Sequence, residues 1–249
     1  MKDLLMNEPT PRRIMTMFFL IDTSGSMEGD KIGAVDDAMD NITKIVGDIS
    51  EENSDAEIRI AVLTFSSDWK WLNPQPVEAT QFRWVHTEPF GLTSLGAACR
   101  ELNEKLSTKG FMASSSGYYA PVVILLSDGA PTDDFESGIA KLKRNKWFLN
   151  GIRAAIAIGD EAEKGVLEDF TGTGESVFAV HNIDQLKKII RMVSVASSQI
   201  GSQSSSAGMG SKQDQFTQKV KMEMDMSDAF DDKLADGTDD GNQDFEGGW

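Results

Sequence analysis

The chain is poor in several residue types, and each shortage removes a class of function. It holds one cysteine, Cys99, and two histidines, His86 and His181. It therefore cannot close an internal disulfide or build a zinc site from three or four His and Cys ligands. That economy fits a reducing compartment, and a cytoplasmic location is expected. Basic residues are also scarce: 24 Lys and Arg face 40 Asp and Glu, for a formal charge of −16. This is the wrong sign for gripping a phosphate backbone, so no nucleic-acid partner is expected. Apolar runs never reach the roughly 18 residues that a membrane-spanning helix needs, so no membrane partner is expected either. Arg12-Arg13 before the apolar stretch 14–21 loosely imitates a secretion signal, but Asp22 interrupts the run and no small-residue cleavage site follows. Phosphate-cradling loops are missing too. There is no G-x-x-x-x-G-K-S/T, and no G-x-G-x-x-G follows the first apolar run, which disfavours nucleotide hydrolysis and dinucleotide redox chemistry.

What is present suits one large α/β domain with an appendage. The chain has 249 residues, 40% of them hydrophobic, enough for a substantial core. Strand-length apolar runs alternate with stretches of helical period, the pattern of βα units around a mostly parallel, doubly covered sheet. Strands are predicted at 15–21, 57–65, 121–126, 152–158 and 176–180, and the first and third, apolar on both faces, should be central. Helices are predicted at 31–49, 94–107, 134–147, 162–169 and 183–198. The segment 66–92, rich in aromatics and proline, is expected to hold an edge strand near 82–86 and a surface loop. Residues 1–13 read as an unordered lead-in and 14–198 as the domain. Residues 199–249 read as a Gly/Ser linker and an acidic tail, with four Lys against eleven Asp and Glu. This tail is either solvated or folds on a partner.

The most informative stretch is Phe18-Phe19-Leu20-Ile21-Asp22-Thr23-Ser24-Gly25-Ser26-Met27. A buried strand runs into a loop with Asp, Ser and Ser at alternate positions, and a helix follows. In open parallel sheets, loops at the carboxyl ends of central strands converge on the ligand crevice. A second apolar run, 122–126, delivers Ser127-Asp128-Gly129 to the same end. A third loop, Phe90-Gly91-Leu92-Thr93-Ser94, places hydroxyls just before a helix. Carboxylates and hydroxyls are hard oxygen donors suited to Mg²⁺, with Mn²⁺ or Ca²⁺ as alternatives. Simpler readings exist: Thr93 or Ser94 as a helix N-cap, and Asp22 to Ser26 as an Asx or Ser turn.

Asp22-x-Ser24-x-Ser26 after an apolar strand, Thr93 in a Gly-Leu-Thr-Ser loop and Asp128 in Ser-Asp-Gly-Ala-Pro-Thr-Asp together resemble the von Willebrand factor A domain carrying a metal-ion-dependent adhesion site, or MIDAS. The resemblance covers about residues 14–198. It implies a Rossmann-like, doubly wound α/β fold with helices on both faces and an antiparallel edge strand. It also implies metal ligation by Asp22, Ser24, Ser26, Thr93 and Asp128, and a non-catalytic role in which a partner protein supplies a carboxylate to the metal. Within the family the motifs look most like bacterial TerY-type proteins of tellurium-resistance and stress gene neighbourhoods. That setting implies a Ser/Thr kinase and a metal-dependent phosphatase as partners, with Ser204 to Ser206 as phosphorylation candidates.

Enzyme readings fare worse. A haloacid-dehalogenase-like phosphatase also ends its first strand in Asp with Mg²⁺ nearby, but needs a second carboxylate two residues on, where this chain has Ser24. Ser24 or Ser26 as a nucleophile would need a base, and both histidines read as surface or packing residues. Cys99, following Ala97 and Ala98, reads as a small core residue. A third reading is a scaffold that binds mainly through its acidic tail.

Overall fold

A computed structural model describes residues 11–159, 162–201 and 210–236. The first apolar run forms β1 (Arg13–Asp22), followed by a 3₁₀ turn at Gly25–Met27 and the long α1 (Asp30–Glu52). Next come β2 (Ala56–Phe65), two short strands β3 (Trp69–Trp71) and β4 (Val77–Glu78), and α2 (Leu95–Lys105). Then β5 (Val122–Ser127), α3 (Phe135–Leu142), α4 (Lys146–Asn150), β6 (Ile152–Ile158), α5 (Lys164–Thr171), β7 (Val177–Val180), α6 (Ile183–Gly201) and α7 (Lys212–Asp236) complete the chain.

The sheet order is β3-β2-β1-β5-β6-β7, with β4 also pairing to β2. β1, β2, β5, β6 and β7 are parallel, whereas β3 and β4 are antiparallel additions along the outer edge of β2. The winding reverses between β1 and β5, so their carboxyl ends border the crevice where doubly wound sheets bind ligands.

Both faces of the sheet are covered, because alternate residues of its central strands are apolar in both directions. Met15, Met17, Phe19 and Ile21 of β1 pack against Val35, Met39, Ile42 and Val46 of α1 and Leu186, Ile190 and Val193 of α6. Phe18 and Leu20 face the other way, into Leu95, Cys99 and Leu102 of α2, Ile139 and Leu142 of α3, Phe148 of α4 and Phe170 of α5. Two helices of the second face approach closely through glycine: a Cβ on Gly96 would come within 2.3 Å of the Asp134 carbonyl oxygen, and one on Gly138 within 2.4 Å of that of Gly96. Among the described residues no helix is long and apolar enough to cross a membrane.

Three expectations need correction. The segment 82–86 is not a strand. Phe82 and Trp84 are buried as the alternation suggested, but Trp84 Nε1 donates to Asp36 Oδ1 on α1 (2.8 Å), and the backbone joins no ladder. The single helix expected over 134–147 is two, α3 and α4, because Asn145 caps the second, accepting from Trp147 N (2.9 Å) while its amide reaches the Leu106 carbonyl. The boundary expected at 199 falls inside α6, and α7 lies on the core: Phe216 and Val220 are fully buried there. The lead-in residues 1–10, Ser204 to Ser206 and the tail from 237 lie outside the described residues.

Candidate metal centre

Loops from four separated parts of the chain, after β1, after β2, before α2 and after β5, meet at the carboxyl ends of β1 and β5. Backbone bonds stitch them together: Thr23 N–H donates to the Phe65 carbonyl (2.8 Å), Phe90 N–H to Thr23 (3.0 Å), Gly25 N–H to Gly91 (3.1 Å) and Ser94 N–H to Ser66 (2.8 Å). Gly91 is required for this. Its φ is +76°, and a Cβ would lie 2.3 Å from Ser67 Oγ.

Asp22 is fully buried at the end of β1. Its Oδ1 accepts from Ser24 N–H (2.9 Å) and its Oδ2 from Ser127 Oγ (2.6 Å). The Asx-type turn considered from sequence is thus present, and it aims Ser24 inward. Ser24 Oγ and Ser26 Oγ are 3.0 Å apart, and Ser26 Oγ donates to Asp128 Oδ1 (2.8 Å). The other Asp128 oxygen is held by Lys31 Nζ from the first turn of α1. Thr93 is buried, and its hydroxyl faces the start of the loop after β5: a Cβ on Gly129 would stand 3.6 Å from Ser26 Oγ and 4.0 Å from Thr93 Oγ1.

The helix-cap reading of Thr93 and Ser94 fails. Ser94 occupies the cap position of α2 but makes no side-chain cap bond, and its hydroxyl donates to the Ser67 carbonyl instead. The cap comes from a distant loop: Asp133 accepts from Gly96 N–H (2.8 Å) and Ala97 N–H (2.7 Å). Thr132 Oγ1 accepts from Thr93 N–H (3.1 Å), which fixes the Thr93 backbone without using its hydroxyl.

Asp22, Ser24, Ser26 and Asp128 are thus joined by hydrogen bonds, and the Thr93 hydroxyl borders them across Gly129. Two carboxylates and three hydroxyls form a hard-oxygen set that suits Mg²⁺ or a similar divalent cation. Among the described residues there is no cluster of three or more His, Cys, Asp or Glu, so the hydroxyls would have to join the two carboxylates in holding an ion. Burial pushes the Asp22 carboxyl above its ordinary pKa, and the neighbouring Asp128 charge adds to the rise, while hydrogen bonds from Ser127 and Ser24 oppose it. A nearby cation would reverse that balance by favouring the ionised form.

Two side chains weighed for catalysis have other surroundings. His86, in the segment before Thr87, reaches across to Asp36 and Asp40 of α1. Cys99 is buried, and desolvation drives its thiol far above the range where a thiolate forms. Sequence reasoning passed over Ser127, Lys31 and Asp133. Ser127 and Asp133 flank Asp128 in a stretch already singled out, and Lys31 follows Ser26 by five residues.

Residues 17–192 match the von Willebrand factor type A domain. The human collagen alpha-6(VI) chain is 30% identical over 105 residues, which are 42% of this chain and 4% of the collagen. The pilus adhesin SpaC from Lactobacillus rhamnosus GG superposes with a TM-score of 0.60 at 13% identity, over 76% of this chain and 31% of the adhesin. Proximal thread matrix protein 1 from the mussel byssus, in a structure with a zinc-occupied MIDAS motif, superposes with a TM-score of 0.55 at 18% identity, over 73% of this chain and 47% of that protein. The chain thus spans less than half of each of these relatives, and the structural likenesses are ones of fold. The family match covers well over half the chain, the sheet winds in the order a doubly wound domain requires, and the loops converge where its ligands bind. On those grounds this chain belongs to the von Willebrand factor type A domain family.

Proposed function

We propose that this domain is a non-catalytic, metal-dependent protein-recognition module in which Asp22, Ser24, Ser26, Thr93 and Asp128 hold Mg²⁺, with Mn²⁺ or Ca²⁺ as substitutes. The observation that carries this reading is the chain of contacts from Ser24 Oγ through Ser26 Oγ to Asp128 Oδ1, with Thr93 Oγ1 beside it. A bound divalent ion would supply a Lewis-acidic docking point for a carboxylate from the partner. Two carboxylates with three neutral hydroxyls leave attraction for one more anionic oxygen, which a third Asp would cancel.

The rim supports a protein ligand. Phe90 is 66% and Leu92 59% exposed on the loop that ends in Thr93, and that loop is pinned by Gly91 and by Leu92 N–H on Ser67 Oγ (3.0 Å). Large apolar side chains held out to solvent beside a polar site mark an interaction surface. The partner's carboxylate is then flanked by apolar side chains. Because the chain is strongly acidic, the partner's wider docking face is basic. The motif resemblance suggests a cytoplasmic bacterial stress or tellurite-resistance assembly, with a Ser/Thr kinase and a metal-dependent phosphatase among the partners.

Chelation and mutation test this. Mg²⁺ at a hundred times its Kd should stabilise the folded chain by about 2.7 kcal/mol. Asp22→Ala and Ser24→Ala should abolish that shift and the chelator-sensitive capture of partner while the circular dichroism spectrum stays native. A variant that keeps Mg²⁺-dependent capture would overturn the proposal. Hydrolysis of a generic phosphate ester that needs Mg²⁺ and Asp22 would favour the phosphatase reading instead.

A further inference from the structure

Lys31 is the side chain at this centre that the five-residue pattern leaves unexplained. It sits in the first turn of α1, and its Nζ lies on Asp128 Oδ2. The lysine side chain is 34% exposed and the Asp128 side chain only 1%, so one end of the pair is withdrawn from solvent, unlike surface pairs that contribute little. The stem is seated as well. Gly159, just beyond β6, has φ +84°, and a Cβ there would lie 3.3 Å from Lys31 Cε, so the missing side chain leaves a path along which the lysine reaches Asp128.

The charge count follows. Asp22 and Asp128 bring two negative charges and Lys31 returns one, so the protein side of the centre carries a net −1 instead of −2. With a divalent cation the total becomes +1 with Lys31 and zero without it. Like charges within a few Å interact appreciably even at an effective dielectric near 20.

We infer that Lys31 divides the affinity of this centre between its two ligands, weakening the hold on the metal ion and strengthening the hold on the incoming carboxylate. This rests on the metal-binding reading above. Lys31 is a positioning and specificity residue, not a sixth ligand: its ammonium has no lone pair to donate.

The test uses the full chain, Mn²⁺ alone as the metal probe, and acetate as the carboxylate. Free Mn²⁺ is read by electron paramagnetic resonance, and acetate binding to the Mn²⁺-loaded protein by water-proton relaxation. K31Q should bind Mn²⁺ on the order of tenfold more tightly than the unaltered chain and acetate correspondingly more weakly. K31M should match K31Q, and K31R, which keeps the charge, should stay near the unaltered chain. Thermal melting confirms that each variant is folded. If the unaltered chain binds Mn²⁺ and K31Q and K31M bind it equally or less tightly, the inference about Lys31 is overturned while the metal centre stands. If no variant and not the unaltered chain binds Mn²⁺, the metal reading fails and takes the inference with it.

Discussion

Two hydroxyl-rich polar clusters lie at opposite ends of the sheet, and they are built on opposite principles. At the amino end of β6, Gln213 of α7 accepts from Arg153 N–H (2.8 Å) and donates to the Arg153 carbonyl (2.9 Å) and to Ser176 Oγ (2.8 Å). Ser176 Oγ is 2.9 Å from Thr217 Oγ1, which itself donates to the Gln213 carbonyl. The groups joined there, a side-chain amide, two hydroxyls and the Arg153 backbone, are neutral and each has a partner inside the cluster. β7 pairs with β6 only from Ala155 onward, and at Arg153 the Gln213 side-chain amide takes the place of the backbone amide of a parallel strand that has not yet begun. The cluster around Asp22 and Asp128 has surplus acceptors, two buried negative charges and a lysine borrowed from α1. The first is closed on itself by neutral hydrogen bonds, and the second sets carboxylates and hydroxyls together around a single ammonium group.

The comparison breaks most visibly at α7. Phe216 is fully buried beside Gln213, and Phe216→Ala should cost about 3–5 kcal/mol of unfolding free energy by urea titration. If the two ends are independent, the Mg²⁺-induced increment should survive in this variant. Loss of the increment would mean that α7 supports the metal end as well, and that the clusters are not separable.

A smaller change sharpens the same contrast. Gln213→Ala removes three hydrogen bonds and leaves the buried Ser176 hydroxyl and the Arg153 backbone groups short of partners, at a cost of about 1–3 kcal/mol. Gln213→Glu should cost more than this, because a buried carboxylate cannot donate to the Arg153 carbonyl. The same urea titrations rank the two variants, and a milder loss for Gln213→Glu would show that the cluster tolerates charge.

The two ends also differ in how much of them could be read in advance. At the metal end, strands 15–21, 57–65 and 152–158 fall within two residues of β1, β2 and β6, because both-face burial forces continuous apolar runs. Asp22, Ser24, Ser26, Thr93 and Asp128 stand out because each follows such a run or precedes a helix. What supports them did not: Ser127 and Lys31 act on carboxylates about a hundred residues away, and no local pattern marks such a pairing. At the other end, α7 hides in an acidic, Gly- and Ser-preceded stretch. Its apolar stripe of Phe216, Val220 and Met224 is narrow, and Gln213 and Thr217 belong to it by hydrogen bonding rather than hydrophobicity. The segment 82–86 misled in the reverse sense. Its alternation is real, but Trp84 binds α1 instead of a neighbouring strand.

The subtlest distinction between the clusters lies in their response to pH without metal. Asp22 has its pKa raised, chiefly by burial, so the folded chain holds that proton more tightly than the unfolded chain does. Below the ordinary carboxylate pKa of 3.8 the group is protonated in both states and does not affect stability. As pH climbs through the interval from that value to the raised one, the unfolded chain ionises first and this group's contribution turns destabilising. Above the interval the penalty is constant. Asp22→Asn removes it while keeping both contacts, since the amide oxygen can still accept from Ser24 N–H and the amide nitrogen can donate to Ser127 Oγ. At neutral pH and without metal, Asp22→Asn should therefore be as stable as the unaltered chain or slightly more so, and its stability should rise more steeply with pH across that interval, because the opposing contribution of Asp22 is gone. Adding Mg²⁺ should reverse the ranking, because only the ionised carboxylate repays its burial through a cation. Thermal melts of both proteins across pH 4 to 8, with Mg²⁺ and with chelator, decide the matter. An Asp22→Asn chain markedly weaker without metal would mean that the carboxylate is there to hold the fold.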